Sequence, residues 1–216
     1  MALLINEIFY SIQGESTYAG VPCMFIRLSG CNLRCTYCDT REAYEPGRPM
    51  TVSAILKTLE GINPFWVAVT GGEPLLQPET PELIDAMMAR GYQVILETNG
   101  SFDIGVVHPG CKKIVDIKCP SSGEQDRNDL GNLNRLAPDD QVKLVMGDRG
   151  DYEFAKEMAH RIGPKLPGSQ ILFSPIHGAL EPAELADWIL KDRIHVRIHL
   201  QLHKIIWPGT EKKIKL

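Results

Sequence analysis

The sequence lacks any uninterrupted apolar run approaching the ~20 residues needed to cross a bilayer, so a membrane-spanning protein is not expected. It also lacks a basic surplus. Lys and Arg number 23 against 27 Asp and Glu, a net charge of −4, which gives no bulk attraction for nucleic acid or an anionic membrane surface. The opening Met1-Ala2-Leu3-Leu4-Ile5-Asn6-Glu7 has neither the basic start nor the long apolar core of a signal peptide. There is no internal repeat, no low-complexity segment and no linker long enough to divide 216 residues, a length that one domain accommodates. A single domain over 1–216 in a cytoplasmic, reducing compartment is therefore expected. Six cysteines there read as metal ligands or core residues before disulfides. The terminal Glu211-Lys212-Lys213-Ile214-Lys215-Leu216 is the only basic run and reads as a solvated tail.

Short β-branched runs alternate with amphipathic stretches almost from end to end. The runs Met24–Leu28, Trp66–Val69, Val94–Leu96, Ile114–Ile117, Val142–Val145, Ile171–Phe173 and Val196–Leu202 predict strands. Helices are predicted over Thr51–Leu59, from Thr80-Pro81-Glu82 to the stop at Gly91, over Asp151–Ile162 and over Pro182–Leu190. Alternating strands and helices imply right-handed crossovers and a mainly parallel sheet, an α/β fold whose closure into a barrel the pattern does not decide. Polar, glycine-rich segments follow the strands at Thr70–Pro74, Glu97–Gly100, Lys118–Gly123 and Ser174–Gly178. In parallel α/β folds that C-terminal rim is where sites are built.

Gly30-Cys31-Asn32-Leu33-Arg34-Cys35-Thr36-Tyr37-Cys38-Asp39-Thr40 follows the first strong strand. Thiolates at i, i+4 and i+7 can converge from one loop onto an iron–sulfur core, leaving one of four irons open. A zinc knuckle would need a fourth ligand, and neither Cys23 nor Asp39 is attractive. A disulfide with a spare thiol conflicts with the reducing compartment. Cys23, Cys111 and Cys119 lack ligand spacing and read as buried thiols. With the later Gly71-Gly72-Glu73-Pro74, the Cys-x3-Cys-x2-Cys pattern resembles the radical S-adenosylmethionine superfamily. Gly71-Gly72 alone would read as a tight turn.

The resemblance implies a partial, modified (β/α) TIM-like barrel with a mainly parallel sheet, and a 4Fe–4S cluster on Cys31, Cys35 and Cys38 in a loop spanning residues 30–40. It also implies one-electron cleavage of S-adenosylmethionine to a 5′-deoxyadenosyl radical. Gly71, Gly72 and Glu73 resemble the motif that meets the methionine amino group, and Tyr37 stands where the superfamily places an aromatic near the adenine.

Further segments resemble one family within it, the 7-carboxy-7-deazaguanine synthases. These are Glu7–Ser16, Gly20, Phe25-Ile26-Arg27-Leu28, Cys38-Asp39-Thr40, Asp116–Gly123, Ser174-Pro175-Ile176-His177 and Leu200–Trp207. That resemblance implies a lyase that contracts 6-carboxy-5,6,7,8-tetrahydropterin to 7-carboxy-7-deazaguanine with release of ammonia, feeding queuosine-type tRNA nucleosides. In the implied mechanism hydrogen leaves C6 of the pterin and later returns, regenerating S-adenosylmethionine. The implied substrate contacts are Ile12, Gln13, Gly14, Glu15, Arg27, Thr70 and His203, with Mg²⁺ on Thr40. Those implied for S-adenosylmethionine are Tyr37, Cys38, Asp39, Gly71, Gly72, Glu73, Glu97, Ser121, Ser122, Ser174, Pro175, Ile176 and His177.

The chemistry suits a pterin. Its aminopyrimidinone edge presents N–H donors that Glu15 and Gln13 can read, and its carboxylate calls for a fork-shaped cation such as Arg27. Arg27 could instead be a surface strand arginine, Thr40 a helix cap, and Glu97 a loop cap; His195 and His199 read as structural. Residues 203–216 are expected to close the site. A role for the Leu216 carboxylate is doubtful, because Gly209–Leu216 is more basic than the family's usual ending. A flavodoxin or ferredoxin-type electron donor and a homodimer follow from the family, with no direct nucleic-acid or membrane partner. Competing readings are another small radical enzyme, such as a glycyl-radical activase, and a non-catalytic iron–sulfur or zinc module.

Overall fold

The computed structural model describes residues 2–209 and 213–215. Its strands are β1 (Ala2–Ile12), β2 (Pro22–Leu28), β3 (Arg48–Thr51), β4 (Trp66–Gly71), β5 (Gln93–Thr98), β6 (Lys112–Lys118), β7 (Gln141–Met146), β8 (Ile171–Pro175), β9 (Arg197–Ile198) and β10 (Ile214–Lys215). All join one sheet in the order β10-β1-β2-β4-β5-β6-β7-β8-β9, with β3 also on β1. From β2 to β9 every neighbouring pair is parallel, while β1 runs antiparallel to β2, β3 and β10. The described strands form a mostly parallel, unclosed sheet, as a partial barrel requires.

Helices α1 (Val52–Glu60), α2 (Thr80–Met88), α3 (Arg149–Ile162) and α4 (Pro182–Asp192) occupy the predicted stretches. The Thr51 hydroxyl caps α1 by accepting from the Ala54 N–H, and the Asp148 carboxylate caps α3 by accepting from Asp151 N–H at 2.9 Å. Such caps each stabilise a helix by about 1 kcal/mol. Strand alternation sends Met24, Ile26 and Leu28 outward against α1 and α2, in a core with Ile55, Leu59, Leu83 and Met87. The same alternation turns Phe25 and Arg27 inward. On β7, Val142, Leu144 and Met146 pack outward with Tyr152 and Met158, which leaves Lys143 and Val145 facing the sheet's hollow.

Three expectations change. Strand β1, seen in the sequence only through the family resemblance, is long. Its register against β2 shifts between Ile5 and Glu7, so Leu3, Ile5 and Ile8 share the outer core while Phe9 turns inward. This bulge re-aims the strand, as bulges commonly do. Of the run Val196–Leu202 only Arg197–Ile198 is strand, and Leu202 begins a short helix, α5 (Leu202–Ile206). The basic ending is not a free tail: β10 pairs with β1, and Lys213 bonds Glu7 at 2.7 Å. Of the segment 203–216, residues 210–212 and Leu216 lie outside the described residues. Among the described residues no helix is long and apolar enough to cross a membrane.

Candidate active site

The hollow of the sheet is a cavity of about 380 Å³ at the C-terminal ends of the parallel strands. Its lining brings together residues far apart in sequence: Ile12, Gln13, Gly14 and Glu15; Arg27; the three cysteines with Tyr37, Asp39 and Thr40; Thr70, Gly71 and Gly72; Glu97; Ile176 and His177; and His203. Polar strand ends converge because parallel strands all deliver their following loops to one rim.

The cysteine loop has no regular structure across Gly30–Thr40 and is fastened from outside. Thr36 donates from its backbone to the Ser122 carbonyl at 3.1 Å and from its hydroxyl to the Ser121 carbonyl at 2.7 Å. Asn99 donates to the Asn32 side chain at 3.0 Å, and Asn32 donates to the Ser101 hydroxyl at 2.9 Å. The Cys31 sulfur accepts from the Leu33 N–H at 3.4 Å and the Asn99 amide at 3.9 Å, donors that favour a thiolate. Burial pushes the Cys31 and Cys35 thiols up. The Tyr37 hydroxyl is buried and has no hydrogen-bond partner among the described residues. Gly72 is where a side chain would not fit: a Cβ there would stand 2.1 Å from the Gly30 oxygen and 2.8 Å from the Cys31 Cβ.

The opposite wall is built of ion pairs, with Asp116, Lys118 and Lys143 on strands and Glu15 on the loop after β1. Asp116 on β6 and Lys143 on β7 are register partners, and their charges meet at 3.3 Å. Lys143 also donates to Glu15 at 2.7 Å, and Lys118 to Asp116 at 2.8 Å. Burial pulls Lys143 down, yet Asp116, Glu15 and Glu97 outweigh it and hold it charged. Burial likewise pushes Glu15 up, but Lys143 and the Gln201 amide bring it well below the usual carboxylate range. Glu97 goes the other way, raised by burial and by the Glu15 charge. Its two oxygens accept from Gln13 and from Thr70, each at 3.0 Å. Glu97 thus bonds two of the residues expected at the substrate.

His199 holds this wall in place. Its Nε2 accepts from the Ser16 backbone N–H at 2.7 Å, so Nδ1 carries the proton and faces the Ser174 hydroxyl at 3.1 Å. Burial lowers its pKa to about 4, which keeps the ring neutral. The C-terminal segment closes over the same loop: Leu202 N–H donates to the Gly14 carbonyl at 2.8 Å. The His203 ring lies so near that a Cβ on Gly14 would stand 2.0 Å from its Nδ1.

Several predicted residues lie behind the lining. Glu73 is fully buried and accepts from Leu75 N–H, the Thr98 hydroxyl and Asn99 N–H, at 2.9, 2.8 and 2.6 Å. Ser121 is bonded to Asp151, Ser122 donates to the Cys119 carbonyl at 2.6 Å, Ser174 is taken by His199, and Pro175 ends β8. Cys23, Cys111 and Cys119 are buried thiols, as expected. Thr40 donates to Asp39 at 3.2 Å, and Asp39 is held by Lys204 at 3.0 Å. Among the described residues no three His, Cys, Asp or Glu side chains form a ready single-ion site. The sequence reading missed Lys143, Lys118, Gln201, Lys204 and Lys213, all of which line the cavity.

A model of the radical SAM superfamily matches residues 25–113. The chain is 41% identical to the 7-carboxy-7-deazaguanine synthase of Koribacter versatilis, covering 97% of this chain and 99% of the relative. It is 45% identical to the 7-carboxy-7-deazaguanine synthase of Chlorobaculum tepidum, covering 95% and 94%. The crystal structure of QueE from Escherichia coli has the same fold, with a TM-score of 0.73 over 94% of this chain and 95% of that one, at 23% identity.

Proposed function

Because the chain belongs to the 7-carboxy-7-deazaguanine synthase family of radical SAM enzymes, we propose that its cavity converts 6-carboxy-5,6,7,8-tetrahydropterin to 7-carboxy-7-deazaguanine with loss of ammonia. The observation that carries this reading is one chamber lined jointly by the cysteine loop, Gly71-Gly72 and the Gln13, Glu15, Arg27 and Thr70 group. A glycyl-radical activase has no need of that last group.

Cys31, Cys35 and Cys38 hold a 4Fe–4S cluster. The support is a donor set of three thiols on one loop, N–H groups aimed at the Cys31 sulfur and, in the same loop, a buried Tyr37 hydroxyl without a partner among the described residues. Bound there, the cluster supplies the electron for reductive cleavage of S-adenosylmethionine. Gly71 and Gly72, whose missing side chains admit the Leu28 and Gly30 backbone, line the cosubstrate side of the cavity, while Tyr37, Ile176 and His177 enclose the adenosyl part. Glu73 acts from behind, as a buried tie that sets the Asn99 backbone.

Glu15, kept ionised by Lys143, accepts from the donor-rich pterin edge, and Gln13 adds an amide beside it. Arg27 receives the substrate carboxylate. Thr40 offers one oxygen to Mg²⁺, so substrate and water supply the others, a habit of this ion. His203, Lys204 and Trp207 cover the site and exclude water. A flavodoxin or ferredoxin-type donor, a homodimer and a single domain over residues 1–216 complete the reading, with no nucleic-acid or membrane partner.

The test is anaerobic reconstitution followed by incubation with substrate, S-adenosylmethionine, Mg²⁺ and dithionite. Formation of 7-carboxy-7-deazaguanine, read by mass and ultraviolet absorbance, is expected. An intact cluster that cleaves S-adenosylmethionine without making this product would contradict the substrate assignment.

A further inference from the structure

Gln201 joins the two walls of the cavity. Its amide nitrogen donates to Glu15 Oε1 at 2.8 Å and to Asp39 Oδ2 at 3.2 Å. Each carboxylate also has its own cation: Lys143 bonds Glu15 Oε2 at 2.7 Å, and Lys204 bonds Asp39 Oδ2 at 3.0 Å. The other Asp39 oxygen accepts from the Thr40 hydroxyl at 3.2 Å. A hydroxyl that gives its proton to a carboxylate keeps both lone pairs for a cation. One line of contacts thus runs from Lys143 on β7 through Glu15, Gln201 and Asp39 to Thr40.

The chain around Gln201 is splinted to the loop around Glu15. Leu202 N–H donates to the Gly14 carbonyl at 2.8 Å, and His199 Nε2 accepts from Ser16 N–H at 2.7 Å. Ser16 stands at φ 65°, a left-handed conformation uncommon for a residue with a side chain, so this turn needs such ties. A neutral amide suits the central place. Burial and the Glu15 charge push Asp39 up, while Lys204 and the Gln201 amide hold it below its ordinary value. Two carboxylates that feel one another call for a shared donor, and only the nitrogen end of the amide can be one. Because the splint fixes Gln201 to the substrate loop, its second bond ties Asp39, and with it Thr40, to the same frame.

We propose that Gln201 is a positioning residue that couples the two ends of the substrate site, setting the Thr40 hydroxyl at a fixed spacing from the Glu15 carboxylate. This rests on the pterin and Mg²⁺ reading above. A pterin held by Glu15 and an ion held at Thr40 are then in register, so each tightens the binding of the other, by the same factor. Removing the Gln201 amide frees the cysteine-loop end while leaving both ends their own binding atoms.

The experiment measures binding of 6-carboxypterin to the reconstituted full-length holoenzyme with S-adenosylmethionine and no reductant, in the presence and absence of Mg²⁺. In the wild type Mg²⁺ should tighten the pterin by about tenfold, and Gln201→Met should cut that gain to about twofold. Asp39→Ala, which cuts the line from the other side, should do the same. The double variant should lose no more of the gain than either single one. Iron content and melting temperature serve as folding controls, and Asp39→Ala carries the test if Gln201→Met loses its cluster. Weakening of the pterin by an equal factor with and without Mg²⁺ would mean that Gln201 serves Glu15 alone and would overturn the inference. A wild-type affinity indifferent to Mg²⁺, or a Met variant that keeps the full gain, would overturn it too. A wild type that does not bind 6-carboxypterin under either condition would instead remove the substrate reading itself.

Discussion

The cavity has two walls built on opposite principles. The strand wall spends its charges on one another: Glu15, Lys143, Asp116 and Lys118 form a chain of contacts between 2.7 and 3.3 Å. The loop wall has no regular structure, and its Cys31, Cys35, Tyr37 and Cys38 line the cavity. The difference teaches which wall is set by the fold and which is organised around the groups it binds. A paired network on rigid strands fixes a substrate edge before binding, whereas a loop of thiols gains its order from metal, because ligation and local folding are coupled. Substitutions on the two walls should therefore fail differently.

The largest effect belongs to the loop wall. Cys35→Ala should abolish both bound iron and S-adenosylmethionine cleavage, while far-ultraviolet dichroism stays that of the wild type. Iron analysis and 5′-deoxyadenosine assay check this, and retained turnover would refute the ligand assignment.

On the strand wall the failure should be structural as well as functional. Lys143→Met leaves Glu15 a buried carboxylate without its cation, while Asp116 keeps Lys118, and the stranded Glu15 costs roughly 3–5 kcal/mol. Urea unfolding should show that loss even without iron, and the pterin requirement should rise. Lys143→Arg should restore part of both. A stability unchanged by Lys143→Met would erase the contrast between the walls.

Acid sharpens the comparison further. His199 binds a proton less readily folded, at about 4, than unfolded, at 6.5. Its contribution is therefore complete above pH 6.5 and is lost as pH falls toward 4, amounting to about 3 kcal/mol at most. Denaturant midpoints measured across that window should fall in the wild type and flatten in His199→Asn. Parallel slopes would show that His199 does not carry this dependence.

The smallest effect is expected where the walls meet solvent. The Lys204–Asp39 pair has side chains 28% and 54% exposed, so Lys204→Ala should cost under about 1 kcal/mol and less in high salt. Thermal melts at two ionic strengths measure it.

The sequence made the loop wall legible and the strand wall nearly invisible, for a physical reason. Ligand spacing is local, so Cys31, Cys35 and Cys38 announce themselves within eight residues. Ion pairs across a sheet are not local: Lys143 and Glu15 are 128 positions apart. The available signal was a charge inside each of two apolar runs, Asp116 in Ile114–Ile117 and Lys143 in Val142–Val145, where a covered parallel sheet tolerates charge only when paired. The inward turn of Phe9 toward the Arg27 side of the sheet was hidden by the β1 bulge, which breaks the alternation a reader would count. Conversely, Val196–Leu202 looked like a strand by composition, but only Arg197–Ile198 pairs as strand, on β8. The helices over α1 to α4 were readable because caps and periodicity are local too.

The central claim is that one cavity holds the pterin by its strand wall against a cosubstrate held by the loop wall. Substrate carrying deuterium at C6 tests it most directly, with recovered S-adenosylmethionine analysed by mass spectrometry after partial turnover. The account predicts 7-carboxy-7-deazaguanine together with deuterium in the recovered S-adenosylmethionine. Accumulated 5′-deoxyadenosine without deuterium, and no deazaguanine, would contradict it.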